Sequence, residues 1–133
     1  MASLYAGLDR WSPHILAILR IVTALLFIQH GTQKFFSFPI AGPPSLPTLY
    51  VVQGLIEFVG GILLLLGAFT RIVAFIMSGD MAVAYFMAHY PSSFYPIENK
   101  GDLAILFCFV FLYFFFAGPG SWSLDRSVLS QEA

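Results

Sequence analysis

Gln53-Gly54-Leu55-Ile56-Glu57-Phe58-Val59-Gly60-Gly61-Ile62-Leu63-Leu64-Leu65-Leu66-Gly67 sets a single carboxylate in the middle of an apolar run. At the centre of a bilayer-spanning helix such a group costs several kcal/mol unless it is paired, protonated or wetted. Nothing in the segment can neutralise Glu57. Its partner must come from elsewhere in the chain, and its surroundings are a functional candidate by default.

The rest of the sequence agrees with a membrane setting. Of 133 residues, 59% are hydrophobic and 10% charged, an apolar fraction above that of soluble globular domains. The formal net charge is −1, with no run of Lys or Arg to track a phosphate backbone, so nucleic acid is not an expected partner. Cys108 is the single cysteine, which excludes an internal disulfide, a CxxC pair and a thiolate metal cage. Met1 to Pro13 lacks the small-residue cleavage site of a signal peptide, so the first apolar segment is expected to stay as a permanent span.

Four apolar stretches follow, at about 14–36, 48–68, 71–89 and 101–117, with a polar tail over 118–133. At 1.5 Å per residue, the first covers roughly 33 Å, enough to cross a hydrocarbon core of about 30 Å. Ser12 and Pro13 suit the cap and first turn of its helix. Pro39, Gly42, Pro43, Pro44 and Pro47 mark the loop after it, a turn at Phe69-Thr70 makes a hairpin of the second and third spans, and Asn99 is placed to cap the fourth. The expected fold is all-α: one integral membrane four-helix bundle, antiparallel, with both termini on the same side. Arg10, Arg71 and Arg126 fall on that side and Lys34 and Lys100 on the other, which places the termini in the cytoplasm of a cell-membrane protein.

Depth then suggests which charges meet. Counted from the expected cytoplasmic ends, Arg20, Glu57 and Asp80 lie within roughly 5 Å of one another along the membrane normal. Arg20 can hold a carboxylate through two parallel hydrogen bonds and is the expected partner of either acid. Two carboxylates against one cation would share a proton. A second polar layer gathers His30 and Lys34, four apart on one helix face, with His89, Glu98 and Asp102 near the opposite surface, suited to hold a polar head group. Gln53, one turn before Glu57, is a further candidate. The competing reading keeps Arg20 and one acid as a structural lock, pairs Lys34 with Asp102, and leaves His89 at the interface. No ligand spacing such as HxxxH points to a metal. Arg20, Thr23, Phe27, His30, Gly31 and Lys34 recur at three and four and should face inward. Gly54, Gly61 and Ala68, seven apart, suit close helix packing.

Three blocks resemble the DoxX family of small four-helix membrane proteins: Leu19-Arg20-Ile21 with His30-Gly31-Thr32-Gln33-Lys34-Phe35; Gly54-Leu55-Ile56-Glu57-Phe58-Val59-Gly60-Gly61 with Leu66-Gly67-Ala68-Phe69-Thr70-Arg71; and Asn99-Lys100-Gly101-Asp102 with Gly118-Pro119-Gly120-Ser121-Trp122-Ser123-Leu124-Asp125. The family often has glutamate at Asp102 and glycine at Lys100. The resemblance implies membrane redox chemistry, since relatives include the membrane subunit of a thiosulfate:quinone oxidoreductase. The leading expectation is therefore a bundle that binds a quinone or similar lipophilic molecule within a larger oxidoreductase assembly. Arg20, Glu57 and Asp80 would handle protons; His30, Lys34, Gln53 and Asp102 would bind the ligand. The alternatives are a non-catalytic anchor for a partner enzyme and a small transporter or proton pathway, which would need to form a homo-oligomer.

Overall fold

The computed structural model describes residues 1–129, and every regular element among them is helical. Three helices are long and apolar enough to cross a membrane: α1, Ala2–Phe36; α2, Thr48–Leu66; and α3, Thr70–Ser92. A one-turn helix, α4 (Pro96–Asn99), precedes α5 (Asp102–Ala117), which is apolar but shorter, and α6 (Leu124–Ser127) closes the described chain. The turn between α2 and α3 carries Gly67 at φ 68° and Phe69 at φ 53°.

α1 begins eleven residues before the expected start and runs through Pro13. The missing N–H of Pro13 removes one helical hydrogen bond without ending the helix, because this exposed stretch lets the freed carbonyl find water. At its other end Ser37 adopts a left-handed conformation and donates its backbone N–H to the Gln33 carbonyl, closing the helix.

Glycines set the register of α1 on α2. A Cβ on Gly61 would come within 2.5 Å of Ile28, one on Gly31 within 2.8 Å of the Phe58 backbone, and one on Gly54 within 2.7 Å of the Phe35 ring. Steps of three and four forward along α1 are thus matched by the same steps back along α2, an antiparallel pair at close approach. Gly60 faces the other way, with Met77 Sδ of α3 at 3.1 Å from its would-be Cβ. Adjacent glycines therefore admit two different helices.

α3 and α5 are likewise antiparallel. Ser78 Oγ donates to the Cys108 carbonyl at 2.8 Å, and Arg71 donates to the carbonyls of Phe115 and Phe116 at 3.0 and 2.7 Å. Phe107, Phe111 and Phe114 turn one face of α5 into the core, where the Phe27 and Phe111 rings meet edge to face at 4.8 Å, while Phe109 and Phe116 point outward. Beyond its first residue the strongly apolar α5 thus has a definite inner face that its own periodicity hides.

Both α2 and α3 contain one widened, π-helical turn, at Ile56–Gly60 and Tyr85–His89. Such turns insert one extra residue and often accompany functional sites. Here both border the same cavity.

Candidate functional site

The inward stripe of α1 is as its spacing indicates: Arg20, Thr23, Phe27 and Gly31 are buried, and His30 and Lys34 are half-buried beside them. Because Gly31 lies against Phe58, Lys34 stands only about half a turn from the level of Glu57, within easy reach of its long side chain. Lys34 Nζ donates to Glu57 Oε1 at 2.7 Å. Glu57 is 1% exposed, and its second oxygen, Oε2, is buried with no hydrogen-bond partner.

This ion pair forms part of the wall of a partly open pocket of about 350 Å³, within the range of small-molecule sites. Phe27 and Phe107 supply aromatic walls; His30, Tyr50, Gln53, His89 and Lys100 bring polar groups to its lining. His30 makes no hydrogen bond among the described residues and packs edge-on against Phe107 with ring centroids 6.2 Å apart. His89 donates from Nδ1 to the Asn99 carbonyl at 3.0 Å, which sets its proton on that nitrogen when the ring is neutral. The Asn99 side chain accepts from the Gly101 N–H at 2.8 Å and donates to Tyr85 Oη at 3.1 Å, so it braces the turn before α5 rather than capping that helix directly.

Asp80 belongs to the neighbouring cleft. It lies within electrostatic reach of Glu57 and Lys34, and its Oδ2 is also buried without a partner. The cleft, about 380 Å³, opens between α2 and α3, and Gln53 borders both spaces. One cation, Lys34, thus faces two carboxylates, each with an oxygen to spare. Among the described residues no three metal-binding side chains converge.

Arg20 is elsewhere. Continuing the α1–α2 register places it level with Phe69, while Glu57 is level with Thr32; the twelve residues between those levels correspond to about 18 Å. The expected pairing of Arg20 with Glu57 or Asp80 therefore does not form. The depth count failed because it measured each helix from an assumed membrane edge, whereas packed glycines fix the actual offset. Arg20 instead donates to the carbonyls of Pro119, Ser121 and Trp122, the last two at 3.2 and 2.9 Å. Close to it, Asp125 accepts the backbone N–H groups of Phe69 and Thr70 at 2.7 and 2.9 Å, satisfying the start of α3. The tail is a structural lock on that end of the bundle.

Asp102 also stays outside the pocket. Gly101 takes the inward position beneath Tyr85, where a Cβ would come within 2.6 Å of the ring, and the next residue, Asp102, is exposed. Lys34 is engaged by Glu57, not by Asp102. Glu98 is exposed and accepts from Ser93 Oγ at 3.0 Å. The sequence reading missed Tyr50 and Lys100. Tyr50, Gln53 and Glu57 are spaced three and four apart, a signal that was available; Lys100 enters through a left-handed turn at φ 60° that no periodicity announces.

Comparison with known proteins bears on the family. The family model DoxX matches residues 15–90, which include Glu57, Lys34, His30, Gln53 and Asp80. An uncharacterized protein of Haemophilus influenzae is 50% identical over 128 residues, covering 90% of this chain and 95% of the relative. An uncharacterized membrane protein of Mycobacterium tuberculosis is 31% identical over 134 residues, covering 86% and 81% respectively. No solved structure matches. With more than half of the chain matched by the family model, and both relatives aligned over most of their length, the protein is a membrane protein of the DoxX family.

Proposed function

We propose that this protein binds a quinone or a similar lipophilic molecule with its polar oxygens in the Glu57 pocket, as a membrane component of an oxidoreductase assembly. The observation that carries the reading is the buried Glu57 carboxylate, held by Lys34 through one oxygen and offering the other with no partner. A quinone ring fits what the pocket supplies. Lys34, His30, Tyr50 and Gln53 can donate to ring carbonyl oxygens, the Glu57 carboxylate can accept from a ring hydroxyl, and Phe27 and Phe107 give flat apolar walls. A bound quinone would supply reversible two-electron, two-proton chemistry, with electrons coming from a partner enzyme.

The chain's own part is to bind, orient and manage protons. Lys34 holds one oxygen of Glu57, and two acids beside one lysine give a place to hold a proton at Glu57 or Asp80. Four membrane passes, counting the shorter α5, with both termini cytoplasmic in a cell membrane, complete the reading. A second role, as organising subunit for that partner, is favoured by α1: its 35 residues extend about 52 Å, well beyond a hydrocarbon core of about 30 Å.

The test is quinone binding by purified wild type and Glu57→Gln, followed by isothermal titration calorimetry, beside quinone-linked turnover in membranes containing the partner. Saturable binding weakened about tenfold or more in the variant, with helical content and assembly unchanged, supports the reading. Absence of binding by wild type, or equal affinity in both proteins, overturns it.

A further inference from the structure

We infer that the cleft between α2 and α3 is a lateral portal, through which the ligand's hydrocarbon tail leaves the Glu57 pocket for the lipid. This rests on the ligand reading above and narrows it to molecules with a hydrogen-bonding ring and a flexible apolar chain. The pocket and the cleft share four lining residues, Tyr50 and Gln53 on α2 and Ala84 and Ala88 on α3. The two alanines are four apart and so stack on one helix face, leaving small side chains at the junction of the two spaces.

The helices diverge there. α2 and α3 meet at Gly60 and Met77, whereas the Thr48–Leu55 part of α2 packs on α1 without comparable packing against Tyr85–His89. The walls of the cleft include Leu49, Val52, Val83 and Met87, each about half exposed and therefore facing lipid in a membrane. Asp80 and Gln53 also line it, and the Oδ2 of Asp80 is buried without a partner. The widened turns of both helices stand beside this opening, a local change in helix pitch where the pair separates.

The experiment uses the full-length protein in lipid nanodiscs and a 1,4-benzoquinone ring bearing a decyl chain that ends in a diazirine. After photolysis, labelled peptides are mapped by mass spectrometry. Labelling of 49–56 and 83–88, suppressed by excess tailless quinone, is expected. Val83→Phe, at a half-exposed position that lines the cleft but not the pocket, should cut that labelling about tenfold while the tailless ring still binds by isothermal titration calorimetry. Labelling confined to 100–107 would show the tail leaving by the mouth beside Lys100, and would overturn the portal while leaving the ligand reading intact. Unchanged labelling in Val83→Phe also overturns the portal. If wild type shows neither calorimetric binding of the ring nor competable labelling, both the ligand reading and the portal fall.

Discussion

Lys34 and Glu57 meet at 2.7 Å across the α1–α2 interface, and the carboxylate holds its other oxygen free inside the bundle. Removing either partner alone therefore leaves a buried charge uncompensated. Lys34→Met should destabilise the protein by about 3–5 kcal/mol, and adding Glu57→Gln should recover most of that loss. Reversible unfolding in mixed micelles, read as a double-mutant cycle, measures the coupling. Additive losses would show that the pair contributes no mutual stabilisation.

Arg20 serves a different end of the molecule. Replacing it with lysine keeps the charge but cannot match a planar fork shared among three carbonyls. Arg20→Lys should lower stability by about 1–3 kcal/mol and speed proteolysis of the tail after Gly118. Quinone affinity should stay at the wild-type value, since Arg20 lies outside the pocket. A loss of affinity at intact stability would restore Arg20 to the site.

Asp125 caps α3 through the N–H groups of Phe69 and Thr70. Asp125→Ala should cost about 1–2 kcal/mol. Because Asp125 also acts electrostatically on Arg20, combining it with the charge-removing Arg20→Gln should be less than additive. Thermal unfolding of the two single variants and the double variant decides this.

Gly31 and Gly79 make a contrasting pair. An alanine Cβ at Gly31 would press on the Phe58 backbone at 2.8 Å, while at Gly79 it meets nothing within 4 Å. Gly31→Ala should cost about 1–3 kcal/mol and weaken ligand binding by shifting Lys34 from Glu57. Gly79→Ala should be neutral or stabilising by up to about 1 kcal/mol, through helix propensity. Equal effects of the two substitutions would argue against the tight α1–α2 contact.

How far the sequence carried depended on the kind of information. The helices were legible from their apolar lengths, and the inward stripe from Arg20 to Lys34 from its spacing. The glycines announced close packing. Which charges meet was not legible, because it depends on the axial offset of two packed helices, and a shift of a few residues changes every pairing. Glu57 was recognised as a buried acid in need of a partner; Lys34 was assigned to another layer because the offset that brings it within about two residues of the Glu57 level is set by packing. Asp80 was placed at the right level since the short α2–α3 turn fixes that pair's offset. The role of the tail was invisible, as backbone carbonyls carry no sequence signature.

The lock between Arg20 and the tail has a bearing on biosynthesis. Arg20 is made early, whereas the carbonyls that receive it follow about a hundred residues later in the chain. An arginine entering the membrane on the first helix has none of its final acceptors until the last helix has emerged. The chain is thus completed from its two ends, and a ribosome that stops before Pro119 leaves a product with an unsatisfied guanidinium, a ready mark for quality control to find.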